Sequence, residues 1–207
     1  MPITSKRNEL LDYIEPFQVG AGRLPDSTGM AHLQTLIDNL TAKDPAPDIG
    51  SAFPQLAGLW RCVFTNSRFV LGLNRLRVAQ LSAVYQYVII DAAGTAGHYF
   101  NIAEMSRNNR VRAACGEYAM IQPSGSEPDR LEVQYQWFYT ALRIWSSYEG
   151  ARSLAARLED GRVPRKIRVA FHKAGWQRHG YMDEDLRIVY GSEGGIFVLV
   201  RESQNAA

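Results

Sequence analysis

The stretch from Gly175 to Arg201, GWQRHGYMDEDLRIVYGSEGGIFVLVR, limits the fold more narrowly than any other part of the chain. It reads as three short strands and two tight turns. Trp176 to Met182 is a strand, Asp183-Glu184-Asp185 a turn, Leu186 to Tyr190 a strand, Gly191-Ser192-Glu193-Gly194-Gly195 a turn, and Ile196 to Arg201 the last strand. Such a meander needs a sheet to join. Ile196-Phe197-Val198-Leu199-Val200 is apolar at every position, which predicts cover on both faces of the closing strand.

Working outward, further runs of high β propensity supply that sheet: Leu59 to Thr65, Ala79 to Ile90, His98 to Met105, Val111 to Ile121, Leu131 to Thr140 and Arg165 to Phe171. Together with the meander they make about nine strands. One helical segment, roughly Leu142 to Leu158, is inserted among them. Many short strands with little helix predict a mainly β fold, a closed antiparallel barrel or a sandwich. Before the strands lie two helices. One runs from Ser5 to Ile14 and ends at Glu15-Pro16; the other is capped by Asp26 or Ser27 and carries the stripe Met30, Leu33, Leu36, Ile37, Leu40. Asp44-Pro45-Ala46-Pro47-Asp48 is a linker by composition. The expected organisation is a helical hairpin and Pro-rich linker over residues 1–48 and a β domain over 49–203.

The bulk composition excludes several classes. The 207 residues are 46% apolar and 21% charged, as in a globular protein, and no run of eighteen apolar residues is present. The first residues, MPITSKRNELLDYIEP, carry no apolar signal core, which predicts a cytosolic protein or a mature organellar form. A net charge of +2 is too small to argue for nucleic-acid binding. Cys62 and Cys115 lie far apart with no metal-ligand spacing and read as buried free thiols. Gly20-Ala21-Gly22 reads as a turn and not a phosphate loop. His32, His98, His172 and His179 have no ligand spacing, and no nucleophile elbow is present, so neither an enzyme nor a metal or cofactor site is expected. Asp183-Glu184-Asp185 reads as a turn whose Asp side chains bond its own backbone.

Strand alternation puts Trp60, Cys62 and Phe64 on one face, inward, and places large aromatics at alternating positions of later strands. Packed solidly they are core; around a hollow they line an apolar cavity. Gly58-Leu59-Trp60 adds a sign of a lipocalin-like barrel, in which the indole sits at the closed end of the cup. Arg201, at the end of the last strand, is placed to lie across Trp60. From Gly161 to Gly180 the chain has Arg162, Arg165, Lys166, Arg168, Lys173 and Arg178, no acidic residue, and Trp176 among them. That is either a surface for an anionic membrane or acidic partner, or a solvated barrel edge blocked by cations.

The residues Leu56-Ala57-Gly58-Leu59-Trp60, Thr65-Asn66-Ser67, Val84-Tyr85-Gln86, Asn101-Ile102-Ala103-Glu104, Gly175-Trp176, Tyr181 to Ile188 and Phe197 to Arg201 resemble the plastid lipid-associated protein (fibrillin) family, most closely its cyanobacterial members. The chain departs from the family pattern at Gln177-Arg178-His179-Gly180 and at Tyr190-Gly191-Ser192. The resemblance implies a lipocalin-like antiparallel barrel peripheral to a thylakoid or similar photosynthetic membrane. Inside it would bind a hydrophobic small molecule such as an isoprenoid quinone, carotenoid or lipid. The ligand-binding set on this reading is Trp60, Phe64, Tyr85, Phe100, Trp137, Tyr181, Arg187, Phe197 and Arg201. Two other readings remain open: an accessory protein that docks on a membrane-bound or pigment–protein complex, and a bilin chaperone or lyase-like protein.

Overall fold

The structure, a computed structural model, describes residues 3–21, 23–43, 53–73, 80–92, 94, 96–107, 110–121, 130–139, 150–160, 166–167 and 174–202. Across 106–139 and 166–167 it describes the backbone alone, Ala119 apart. The linker Asp44 to Asp48 and the predicted helical residues 142–149 lie outside the described residues.

The helices α1 (Ile3–Ile14) and α2 (Ser27–Thr41) form where the apolar spacing predicts them. Pro16 lies in a single 3-10 turn, Glu15–Phe17, that ends α1. Asp26 caps α2 by accepting the Gly29 backbone N–H at 2.8 Å. Its buried stripe is Leu33, Leu36, Ile37 and Leu40. A further 3-10 turn, Phe53–Leu56, leads into the sheet.

The sheet has nine strands: β1 (Gly58–Thr65), β2 (Gln80–Ile90), β3 (Ala96–Arg107), β4 (Arg110–Ile121), β5 (Arg130–Tyr139), β6 (Lys166–Ile167), β7 (Ala174–Met182), β8 (Leu186–Gly191) and β9 (Ile196–Arg201). Their order is β4-β3-β2-β1-β9-β8-β7-β5-β6, and β4 also pairs with β5. Apart from the two-residue β6, the strands therefore close into a ring, every pair antiparallel. Closure removes the exposed sheet edges. Of the predicted Arg165 to Phe171 strand, only Lys166–Ile167 is described, and it is paired. A short helix, α3 (Arg68–Leu73), follows β1 and is not foreseen by periodicity. The inserted helix is α4 (Ala151–Glu159), shorter than predicted within the described residues.

Three apolar clusters organise the packing. Inside the ring lie Trp60, Cys62, Val84, Val88, Tyr99, Met182, Val189 and Leu199, with Phe53 and Leu56 beneath and Val70 of α3 also in the cluster. A second cluster joins α1 and α2 to the outer face of β1, β7, β8 and β9 through Leu10, Ile14, Leu33, Ile37, Phe64, Tyr181, Ile188 and Val198. The third joins α4 to the outer face of β2 and β3 through Leu154, Leu158, Tyr87, Phe100 and Ile102. The closing strand is covered on both sides, as its apolar run predicts: Leu199 faces the interior cluster and Val198 the helices.

Two β-bulges correct the predicted faces. A register shift between Cys62 and Phe64 turns Phe64 outward against α1 and α2, so the inward set of β1 ends at Cys62. A second shift, between His179 and Tyr181, sends Tyr181 to the same helical side, where its hydroxyl bonds Asp183 at 2.7 Å. Tyr85 and Phe100, read as cavity lining, pack on the outer face under α4. The alternation was legible there, but which face is inner depends on where α4 docks.

Candidate ligand-binding interior of the barrel

The closed end of the barrel is built on Trp60. Its indole N–H donates to the Leu56 carbonyl at 2.9 Å, which ties β1 to the 3-10 turn beneath it. Trp60 stands opposite Arg201 on β9 and Gln86 on β2. The Arg201 guanidinium lies 4.0 Å from the indole centroid, the stack predicted from sequence. Its donors go to backbone: Nε to Glu184, and the two terminal nitrogens to Ala57 and Gln55 at 2.7 Å each. Arg201 is thus a clasp joining the β7–β8 turn, the 3-10 turn and the indole. Gly58 is a glycine for this reason. Its φ is +113°, and a Cβ there would stand 3.1 Å from the Arg201 guanidinium.

One layer further in, Cys62 is opposite Val84 and Leu199, and Arg187 is opposite Leu199 and Met182. Arg187 is 2% exposed. It lies 4.8 Å from the Trp60 centroid, so two guanidiniums bear on one indole. It donates to the Gln86 side-chain oxygen, its Nε has no acceptor, and among the described residues no carboxylate pairs with it. Burial, and secondarily Arg201, push its pKa down to about 9, which leaves it cationic at neutral pH.

The next layer holds His179, opposite Val189, itself opposite Phe197. His179 is 6% exposed and neither ring nitrogen has a partner. Burial, then the Arg187 charge, hold it neutral by lowering its pKa well below the usual value. Cys62 is a buried free thiol whose pKa burial raises to about 12, so it is not a nucleophile at neutral pH. Towards the far end the described apolar residues are Val189, Leu81 and Val70, with Phe197, Ala103 and Met105 partly buried against the same cluster, and Gln177 is the buried polar residue of β7 there.

Of the predicted ligand-binding residues, the fold therefore brings Trp60, Arg187, Arg201 and Phe197 to the interior. It sends Phe64, Tyr181, Tyr85 and Phe100 to outer faces, where helices need their apolar area. Trp137 is on β5 with its Cα paired to Glu117, and its side chain lies outside the described residues, as does that of Cys115. Of the predicted basic surface, Arg162, Arg165, Arg168 and Lys173 lie outside the described residues, and Lys166 is described in backbone only. Arg178 is exposed with its guanidinium 5.2 Å from the Tyr190 ring centroid, and Trp176 is half-buried. Asp183 accepts from the backbone N–H of Asp185 and Leu186, the turn chemistry predicted, and also meets Arg7 at 3.3 Å.

Sequence reasoning missed Gln86, Gln177 and His179 as interior groups. The available signal was polar residues at alternate positions 177 and 179, flanking an exposed Arg178 on one strand.

A family model of the plastid lipid-associated proteins, PAP/fibrillin, matches residues 4–200. The chain belongs to the PAP/fibrillin family. No curated protein matches it. For this PAP/fibrillin chain the match takes in the helical hairpin and the closing meander as far as Val200. The family is that of lipid-associated plastid proteins. Among the described residues no helix is long and apolar enough to cross a membrane.

Proposed function

We propose that this PAP/fibrillin chain is a non-catalytic carrier. Its barrel holds a hydrophobic small molecule, an isoprenoid quinone, carotenoid or lipid, and the protein works from the cytosolic side at a thylakoid or other photosynthetic membrane. One observation carries the reading. Among the described residues the barrel interior carries an apolar cluster yet also holds polar groups with no hydrogen-bond partner: Arg187 Nε and both nitrogens of His179. Interiors that serve only stability pair such groups, because a buried polar atom without a partner costs about 1–3 kcal/mol. Binding sites combine an apolar wall with a few convergent polar groups. The inert Cys62 thiol favours binding over covalent chemistry.

Native mass spectrometry of the purified protein, followed by organic extraction, tests the reading. A co-purifying hydrophobic molecule is expected, together with quenching of Trp60 when delipidated protein is offered quinone or carotenoid. Protein that emerges without such a molecule, and whose fluorescence stays unchanged by every hydrophobic probe, refutes it.

A further inference from the structure

Resting on that reading, we infer that the occupant is a long-chain monocarboxylate, its acidic head received by Arg187 and His179 and its chain directed towards Val189, Phe197, Leu81 and Val70. The inference starts from charge. Two guanidiniums reach the closed end, and they are not equivalent. Arg201 spends its donors on three backbone carbonyls and is partly exposed. Arg187 is buried, and among the described residues it has one hydrogen bond, to a neutral amide, no acceptor for its Nε and no carboxylate partner. A buried cation without a counter-charge is strongly disfavoured. His179, held neutral, adds one N–H donor and one acceptor beside it and no further charge.

Among the described residues the deficit is therefore one negative charge, and Arg187 Nε and the His179 N–H call for two acceptor positions. A quinone or ketone oxygen would meet the donors and leave the charge uncompensated. A phosphate monoester would bring nearly two charges against one cation. A carboxylate brings one charge and two oxygens, one for Arg187 Nε and one for the His179 N–H. Polarity along the barrel sets the orientation. Trp60, Arg201 and the Phe53–Leu56 turn close the end next to Arg187, whereas Leu81, Val70 and the partly exposed Phe197 give the described wall beyond His179 an apolar share, with Gln177 its buried polar member.

The test compares palmitic acid with methyl palmitate, which share a chain and differ in head charge, together with a short-chain plastoquinone analogue, on delipidated wild-type protein. Binding is followed by tryptophan fluorescence and thermal shift. The acid is expected to bind about tenfold to a hundredfold tighter than the ester, the span of a charge-assisted hydrogen bond. In Arg187→Gln the acid-to-ester ratio is expected to fall towards one, and a ratio unchanged from wild type overturns the assignment of the head to Arg187. If that variant does not fold, the acid-to-ester ratio of the wild type decides alone. Ester or quinone binding as tightly as the acid overturns the carboxylate inference and leaves the carrier reading standing. No binding of any of the three overturns the carboxylate inference, and the carrier reading falls with it when in addition no hydrophobic molecule co-purifies and carotenoid leaves the fluorescence unchanged.

Discussion

The buried, unpartnered His179 makes acid stability the most direct probe of the interior. An unfolded histidine binds a proton below about pH 6.5. In the folded protein burial and the Arg187 charge lower the pKa well below that value. Below pH 6.5 the unfolded state therefore holds more protons than the native state, and stability falls as pH falls. While the native imidazole stays neutral, the loss is roughly 1.4 kcal/mol per pH unit, or about 2 kcal/mol between pH 6.5 and 5. That is a large share of the stability of an ordinary domain. The perturbation that isolates it is His179→Leu, which keeps a side chain of similar size and removes the titration. Carboxylates and the remaining histidines contribute equally to both proteins and cancel in the difference. Urea unfolding of delipidated wild type and variant at pH 7.5, 6.5, 5.5 and 5.0 should give a stability difference that widens as pH falls through 6.5, with the variant the more stable. At pH 7.5 the variant should match or exceed wild type, because it no longer buries two unsatisfied nitrogens. Parallel pH dependence in the two proteins would refute the buried neutral state.

Other outcomes follow from the same geometry. Arg201→Lys replaces a planar donor set with a point charge that cannot reach Glu184, Ala57 and Gln55 together while lying over Trp60, so a loss of about 2 kcal/mol in denaturant unfolding is expected; a change under 0.5 kcal/mol would show that water replaces those bonds at no cost. Cys62, with its thiol pushed up to about 12 by burial, should resist a water-soluble maleimide at pH 7.5, and peptide mapping should find it modified only after denaturation; rapid native labelling would place it at an open surface. Asp183→Ala removes two turn hydrogen bonds and the Tyr181 contact and should cost about 2 kcal/mol, whereas Arg7→Ala removes part-exposed ion pairs at 3.3 and 3.5 Å and should cost under about 1 kcal/mol. Equal losses would shift the weight of that junction from the turn to the helix contact.

The barrel was legible because its cues are local. Two-residue alternation, glycine and aspartate turns and the Gly58-Leu59-Trp60 start are each set within a few residues. The Trp60–Arg201 stack was legible from the Gly-x-Trp pattern of lipocalin-like barrels together with the place of Arg201 at the end of the last strand. Membership of the family was legible too, in the same meander. The side that each aromatic faces was not legible. A bulge adds one residue and reverses everything beyond it, and it turned Phe64 and Tyr181 outward at Cys62/Phe64 and His179/Tyr181. Nor does alternation say which face of β2 and β3 a helix will cover, so Tyr85 and Phe100 were placed by the docking of α4. The meander by itself determined that the chain closes a sheet and carries Arg187 and His179. Only tertiary structure decided that these two, eight residues apart in sequence and on neighbouring strands, are buried in one interior with no carboxylate paired to Arg187 among the described residues. Burial is a property of the closed ring, and no single strand encodes it.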